Sequence, residues 1–375
     1  MKIGIDATPL PPNPVGAGTY IIQLVRAISA APTDHQFVVF AQQSGRELFG
    51  GQSFSNVEWV SVPDRSPAVR LVWEQIRLPR LAAQFKLDLL HSLHYTRPLT
   101  LPCASVVTFH DMTFFLFPEL HTFSKRLFFP WAIRMSARRA DALIAVSEST
   151  RLDALRILGL APDKIVAIPH GIGSEFRPID DPTLLETCRQ KYRLPREFIL
   201  FVGLIEPRKN LAALLRAYAS LAAREGLPPL VLVGRSGWMV AEVLALVKQL
   251  GLERIIQFTG YIPGQDLPIV YNLAQVLVYP SAYEGFGFPP LEAMACGTPV
   301  ITTAISAMLD YVGDAGLLVP PNDDRSLGQA IETLISDPLL QKRLSFEGRQ
   351  RAAEFTWERT AIQTLELYEK VGMRS

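Results

Sequence analysis

Short apolar runs alternate with longer segments of helical period along almost the whole chain. KIGIDA, QFVVFA, LDLLHS, SVVTFHD, DALIAVS and KIVAIPH read as strands in the first half, and FILFVG, PLVLVG, IIQFTG, VLVYPS, TPVITT and GLLVP in the second. The runs are apolar throughout, as expected of strands covered on both faces, and the segments between them are long enough for crossover helices. Strands alternating with helices predict parallel sheets and an α/β fold. The alternation pauses between Pro169 and Glu186, a stretch rich in Pro, Gly and acids with no clear period. It reads as a linker between two similar halves, which places domains at 1–175 and 176–355. The tail over 356–375 has a helical pattern and can pack back on the first half.

A chain of 375 residues is long enough for two domains. Its 49% hydrophobic content and mean hydropathy of +0.18 argue for large buried sheets and against disorder. A net charge of +1 speaks against coating nucleic acid, so a bound anion must meet a local constellation. Cys103, Cys188 and Cys296 lie far apart, in no zinc-ligand spacing, which suggests reduced thiols and a cytoplasmic protein. The N-terminus runs directly into a strand and reads as lacking a signal peptide. Stretches such as LAALLRAYASLAA are broken by Arg well short of the ~20 residues a bilayer span needs. The expectation is a cytoplasmic protein, at most seated on the inner face of a membrane.

The strongest chemical signal follows VLVYP. A loop carries Glu284, Gly285 and Gly287, and the pattern predicts a short helix from near Pro290 to Gly297. Free N–H groups at a helix start, beside a glycine loop at the carboxyl end of a parallel strand, suit a phosphate. Glu284, and Glu292 in the predicted first helical turn, would repel a diphosphate. They are instead read as acceptors for sugar and ribose hydroxyls on either side. For Glu292 a plain helix-dipole role is the competing reading. In FVGLIEPRKN a strand ends at Gly203, and Arg208 and Lys209 precede a helix starting near Asn210. Two cations there can neutralise a diphosphate, or simply be a solvated pair.

In the first half, Gly16 and Gly18 follow the first strand and permit close backbone approach to a ligand. The third glycine and the later acid of a dinucleotide fingerprint are missing. His110 and Asp111 end the SVVTFHD strand, and Ser147 follows another strand, where it serves equally as an N-cap. The aromatic and basic stretch Phe114–Arg139 reads either as a buried helix–loop pair or as an interfacial surface for a lipid-linked acceptor. Asp180-Asp181 and Asp323-Asp324 sit in linker and loop, no Asp-x-Asp pattern stands out, and no metal is expected.

The string Glu-Gly-Phe-Gly-Phe-Pro-Pro-Leu-Glu-Ala, starting at Glu284, resembles the Glu-x7-Glu motif of the retaining glycosyltransferases of family 4. Gly-Thr-Pro-Val and GDAGLLVPP follow in the same order. The resemblance implies the GT-B fold, two Rossmann-like parallel-sheet domains facing a central cleft, with the nucleotide held mainly by the second. It implies that Glu284 meets the donor sugar and Glu292 the ribose diol, with Gly285, Phe286, Gly287, Phe288 and Leu291 around the donor. Arg208 and Lys209 take the diphosphate beside Gly203, and Gly16 and Gly18 fold against the donor phosphates. Tyr261 and Ile262, in GYIPGQDL, resemble the loop whose backbone reads the base. His110 bonds the donor sugar, and Asp111 and Ser147 lie on the acceptor side. Two departures are His170, where Asn is usual, and MLDYV, where a Leu-Pro-Glu-Val-like string is common.

The implied reaction moves a hexose from a nucleoside diphosphate sugar to a hydroxyl of a glycan or lipid-linked glycan in polysaccharide biosynthesis. UDP-glucose is the first donor expected and GDP-mannose the second. Retention, no metal or other cofactor, and a monomer or weak dimer complete the expectation. The rivals are a nucleotide-sugar epimerase or hydrolase of the same fold, and a non-catalytic nucleotide-sugar-binding subunit.

Overall fold

The computed structural model describes residues 1–50, 54–235 and 240–373. Arg374 and Ser375, the end of the expected tail, lie outside the described residues. Two units divide the chain, one of Met1–Gly171 with Thr356–Ser375 and one of Ile172–Phe355. The first holds β1 (Lys2–Asp6), β2 (Gln36–Gln42), β3 (Val57–Val62), β4 (Leu89–Ser92), β5 (Ala104–Phe109), β6 (Ala142–Ala145) and β7 (Ile165–Ala167). They form one sheet in the order β3-β2-β1-β4-β5-β6-β7. The second unit holds β8 (Ile199–Val202), β9 (Leu230–Val233), β10 (Ile256–Gly260), β11 (Val276–Tyr279), β12 (Val300–Thr303) and β13 (Leu317–Val319), in the order β10-β9-β8-β11-β12-β13. Every described ladder is parallel. Both sheets therefore reverse strand order once, between β1 and β4 and between β8 and β11. Crevices at the carboxyl ends of such reversal points are where open α/β sheets bind ligands.

The central strands are buried on both faces, which is why their sequences are unbroken apolar runs. The sequence pattern missed β3, which lies at the sheet edge and is only half-buried. VEWVSV is broken by Glu58 and Ser61 and offers no apolar run longer than two residues. The expected linker also ends early. Pro182 starts helix Pro182–Tyr192, capped by Asp181, whose Oδ1 accepts from the backbone N–H groups of Thr183 (2.9 Å) and Leu184 (3.1 Å). An Asp followed by Pro is an N-terminal helix signal that the acid-rich composition hid.

Helix Trp357–Gly372 belongs to the first unit and lies along helix Ala17–Ala30. Its Tyr368 hydroxyl meets Nδ1 of buried His91 at 2.6 Å. The other ring nitrogen meets Thr108 Oγ1 at 2.8 Å, and Thr108 in turn bonds the Tyr20 hydroxyl at 2.9 Å. Gly171 closes this arrangement. A Cβ there would lie 2.1 Å from the Trp357 nitrogen and 2.4 Å from the Thr356 carbonyl carbon, both of them backbone. Gly171→Ala must push the returning chain away and is expected to cost about 3 kcal/mol. A fall in the urea midpoint measures it, and an unchanged midpoint would show that the return relaxes freely.

Candidate active site

The site of the second unit is built at the β8/β11 reversal. After β8 the chain passes Gly203 and makes one tight turn at Pro207–Lys209, with Asn210 in the left-handed region (φ 51°) before helix Leu211–Ala219. After β11 a loop runs to Gly287. The two loops are tied together, since the Ala282 backbone N–H donates to the Arg208 carbonyl at 2.8 Å.

This clamp brings three charged side chains into one cluster. Arg208 Nη1 donates to Glu284 Oε2 at 2.6 Å, and Lys209 Nζ donates to Oε1 at 2.6 Å. Tyr279 and Ser281 add hydroxyl donors to Oε1 at 2.9 and 2.5 Å. Arg208 also donates to the Tyr283 carbonyl at 3.0 Å and to Glu206 at 2.9 Å. The Glu284 backbone N–H donates to Ser306 Oγ at 2.9 Å. Glu284 is 5% exposed and Lys209 8%, so this is a desolvated ion cluster. Burial alone would raise the Glu284 carboxyl, yet Arg208 and Lys209 outweigh it and hold it at about 2. The Lys209 ammonium moves down, by burial and by Arg208, with Glu284 opposing. The sequence reading kept Glu284 off the diphosphate, because a carboxylate repels it, and did not pair it with the cations. In the fold its carboxylate sits between the two cations, on loops that the Ala282–Arg208 backbone bond holds together.

Helix Phe288–Cys296 starts two residues before Pro290, between left-handed Gly287 and Gly297 (φ 84° for each). Glu292 is thus its fifth residue, past the first turn, and the helix-dipole reading loses its basis. Its Oε2 accepts from the Tyr271 hydroxyl at 2.8 Å. Burial pushes its carboxyl up to about 7, with the Tyr271 bond pulling down and Glu175 adding to the rise. A carboxyl raised in the fold stabilises it below the ordinary value near 4.5 and loses that contribution as pH rises through about 7. Leu291 and Phe286 are buried, Phe286 against Phe288 (4.9 Å) and Tyr311 (4.6 Å), so these expected donor neighbours spend their side chains on packing. Gly285 and Gly287 offer backbone only.

At the ends of β9 and β10, the Gly234 N–H donates to the Gly260 carbonyl at 3.0 Å. The Arg235 guanidinium lies 4.4 Å over the half-exposed Tyr261 ring, while the Ile262 side chain is buried. Gly203 donates its N–H to the Val233 carbonyl at 2.9 Å and lies beside the Lys209 stem.

In the first unit His110 is buried at the end of β5. Its Nε2 donates to the Leu93 carbonyl at 2.8 Å, which fixes the proton there and leaves Nδ1 as the acceptor. Burial lowers its pKa, so the ring is neutral at pH 7. Asp111 Oδ1 is taken by the Thr113 N–H (2.9 Å) and hydroxyl (2.7 Å). Ser147 is fully buried and caps helix Glu148–Leu158, accepting from the Thr150 N–H at 3.0 Å. Gly16 caps helix Ala17–Ala30 with φ 54°. Gly18 lies inside that helix, and a Cβ on it would be 2.8 Å from Pro14, so its close approach is to its own loop.

Sequence reasoning missed a second polar centre at the β1/β4 reversal. Arg70 Nη1 donates to Glu74 Oε2 at 2.9 Å, Thr96 Oγ1 donates to the same oxygen at 2.7 Å, and Asp6 Oδ1 accepts from Thr8. A charged residue at i and i+4 in an otherwise apolar helix was the available signal. Also missed were Tyr279, Ser281 and Ser306 around Glu284, and Tyr271 on Glu292. Among the described residues no group of three or more His, Cys, Asp or Glu is placed to hold a metal ion. No described helix is long and apolar enough to cross a membrane.

Comparison with known proteins follows the same division. The model "Glycosyltransferase Family 4" matches residues 14–176, and "Glycosyl transferases group 1" matches 186–351. The chain is 31% identical to the O-antigen chain mannosyltransferase B of Escherichia coli, over 98% of this chain and 99% of that one. It is 34% identical to the serotype-specific mannosyltransferase WbdA of Escherichia coli over 61% of this chain, which is 28% of WbdA. Among solved structures, sucrose-phosphate synthase from Thermosynechococcus elongatus aligns over all of both chains, with a TM-score of 0.79 and 24% identity. Anabaena HepE in complex with UDP-glucose aligns over 99% of this chain and 100% of its own, with a TM-score of 0.79 and 21% identity.

Proposed function

The chain belongs to glycosyltransferase family 4, with the GT-B fold, and from that premise we propose that it transfers mannose from GDP-mannose to a hydroxyl of a glycan or lipid-linked glycan, in the cytoplasm, with retention and without a metal ion. The relative matched over nearly the whole of both chains is a mannosyltransferase, which favours mannose over the glucose first expected, whereas the D-inositol 3-phosphate glycosyltransferases of similar identity match over only about 60% of this chain. The neighbour solved with UDP-glucose shares too little sequence to argue for its donor.

The observation that carries the proposal is the buried Arg208–Lys209–Glu284 cluster at the strand reversal. Lys209 is already desolvated, Arg208 is partly so, and both are held in place, so they can take up the charge that grows on a departing diphosphate with little reorganisation. Glu284 takes three donors on Oε1 and one on Oε2, which leaves room on Oε2 for a hydroxyl of the transferred sugar. The acceptor oxygen bonds the anomeric carbon as the bond to the diphosphate breaks, the departing diphosphate takes the proton of the incoming hydroxyl on the face it leaves, and configuration is retained. His110, neutral and accepting at Nδ1, suits a sugar hydroxyl.

Nucleoside diphosphate release decides among the readings. It is expected with GDP-mannose, dependent on acceptor and undiminished in excess EDTA. Release without acceptor would make the protein a hydrolase, and binding without release a non-catalytic subunit. Preference for UDP-glucose would overturn the donor, and loss in EDTA restored by Mg²⁺ would overturn metal independence.

Glu292 supplies a separate check. Ribose hydroxyls donating to its ionised form would lower a carboxyl that stands at about 7, so GDP binding at pH 7 should release protons. Calorimetry in buffers of different ionisation enthalpy should show this in the wild type and lose it in Glu292→Gln, with weaker binding. Equal proton release in both would remove Glu292 from the ribose.

A further inference from the structure

We propose that the first unit carries a docking face for an anionic phospholipid bilayer, formed by helices Pro67–Ile76 and Phe123–Arg139. On the longer helix Phe123, Leu127 and Trp131 recur every four residues along one exposed stripe, which continues with Arg134 and Arg138. On the shorter one Val69, Val72 and Ile76 form a second stripe, spaced by three and four. Each of these six apolar side chains is between 47% and 75% exposed, and a folded unit gains nothing internally from presenting them.

Hydrogen bonds link the C-terminal ends of the two helices through the segment between them. Gln75 donates to the Arg97 carbonyl at 3.1 Å and accepts from the Leu99 N–H at 2.8 Å. Arg139 donates to the Leu99 carbonyl at 2.5 Å. The Arg97–Leu99 segment thus bridges both helices, and Leu99 is itself exposed.

Charge selects the occupant. Helix Phe123–Arg139 carries five cations and no acid. Over residues 65–80 the lone acid, Glu74, is fully buried against Arg70, while Arg65, Arg77 and Arg80 reach solvent. With a net charge of only +1, the rest of the chain is acidic on balance, so the basic surface is concentrated here. A second copy related by a two-fold axis would set cations against cations. Anionic headgroups complement them, while Phe and Leu enter the acyl boundary and Trp sits at headgroup level. The inference is independent of which sugar is transferred, and it gives the acceptor a place, at the lipid surface.

The test is flotation of the whole protein with phosphatidylcholine vesicles, with and without phosphatidylglycerol, in the absence of sugar nucleotide. Binding is expected only with phosphatidylglycerol and should weaken as salt rises. Phe123→Ser/Leu127→Ser/Trp131→Ser, and separately Arg134→Glu/Arg138→Glu, should each bind at least ~10-fold more weakly while melting like the wild type. Equal binding to neutral vesicles, no binding at all, or wild-type binding by both variants would overturn the proposal. So would a wild-type dimer in sedimentation that the apolar triple variant dissolves, because the face would then belong to a second copy.

Discussion

Glu284→Gln is expected to lower turnover by about two to three orders of magnitude and global stability by about 3 kcal/mol. Four donors converge on the carboxylate, from Arg208, Lys209, Tyr279 and Ser281. A Gln side chain has one acceptor oxygen, and its NH₂ must face a donor in a buried site. Lys209, 8% exposed, then keeps its desolvation cost without its counter-ion. A diphosphate supplies the missing negative charge, so GDP should raise the melting temperature of this variant more than that of the wild type. The measurements are urea unfolding, GDP titration and steady-state kinetics with GDP-mannose. Wild-type turnover in a well-folded variant would remove Glu284 from the chemistry. A smaller GDP stabilisation than in the wild type would separate the cations from the diphosphate.

Lys209→Ala and Arg208→Ala are each expected to reduce turnover by tens-fold to hundreds-fold, since a charge-assisted bond to phosphate is worth about 1.5–3 kcal/mol. Their effects on folding should differ. Lys209 is almost fully buried on Glu284, whereas the Arg208 side chain is 23% exposed and shares itself with Glu206 and the Tyr283 carbonyl. The sign of the pH effect follows from Glu284. Its carboxyl stands at about 2, below its ordinary 4.5, so ionised Glu284 stabilises the fold above pH 4.5 and loses this as pH falls through 2. Removing Lys209 removes much of that depression. Arg208 depresses the carboxyl as well, so acid unfolding of each alanine variant should begin at higher pH than in the wild type. Coincident acid limbs together with unchanged turnover would mean that the cluster neither holds the fold nor serves the reaction.

The strand pattern was legible because a parallel strand buried on both faces must be apolar at every position. That constraint marks β4, β8 and β11 in the sequence, and its absence at the half-exposed sheet edge hides β3. Helix ends written in backbone chemistry were partly legible. Gly297 announced a stop, but Phe288 before two prolines hid the true start, and with it the position of Glu292. The charged residues of the site stood out because Arg208, Lys209, Glu284 and Glu292 interrupt apolar text just after strand ends.

Which of them touch was not legible. Strand order places β8 beside β11, and only that adjacency puts Arg208 and Lys209 on a glutamate some 75 residues later in the chain. The same holds for Tyr271 on Glu292, for Glu175 raising that carboxyl, and for Tyr368 on His91. The sequence by itself determined which segments must be buried, because burial is a property each residue carries through its own apolar surface. The tertiary structure alone decided which charges are paired and where their pKa values lie, because those depend on distance and desolvation, and neither exists before distant segments meet.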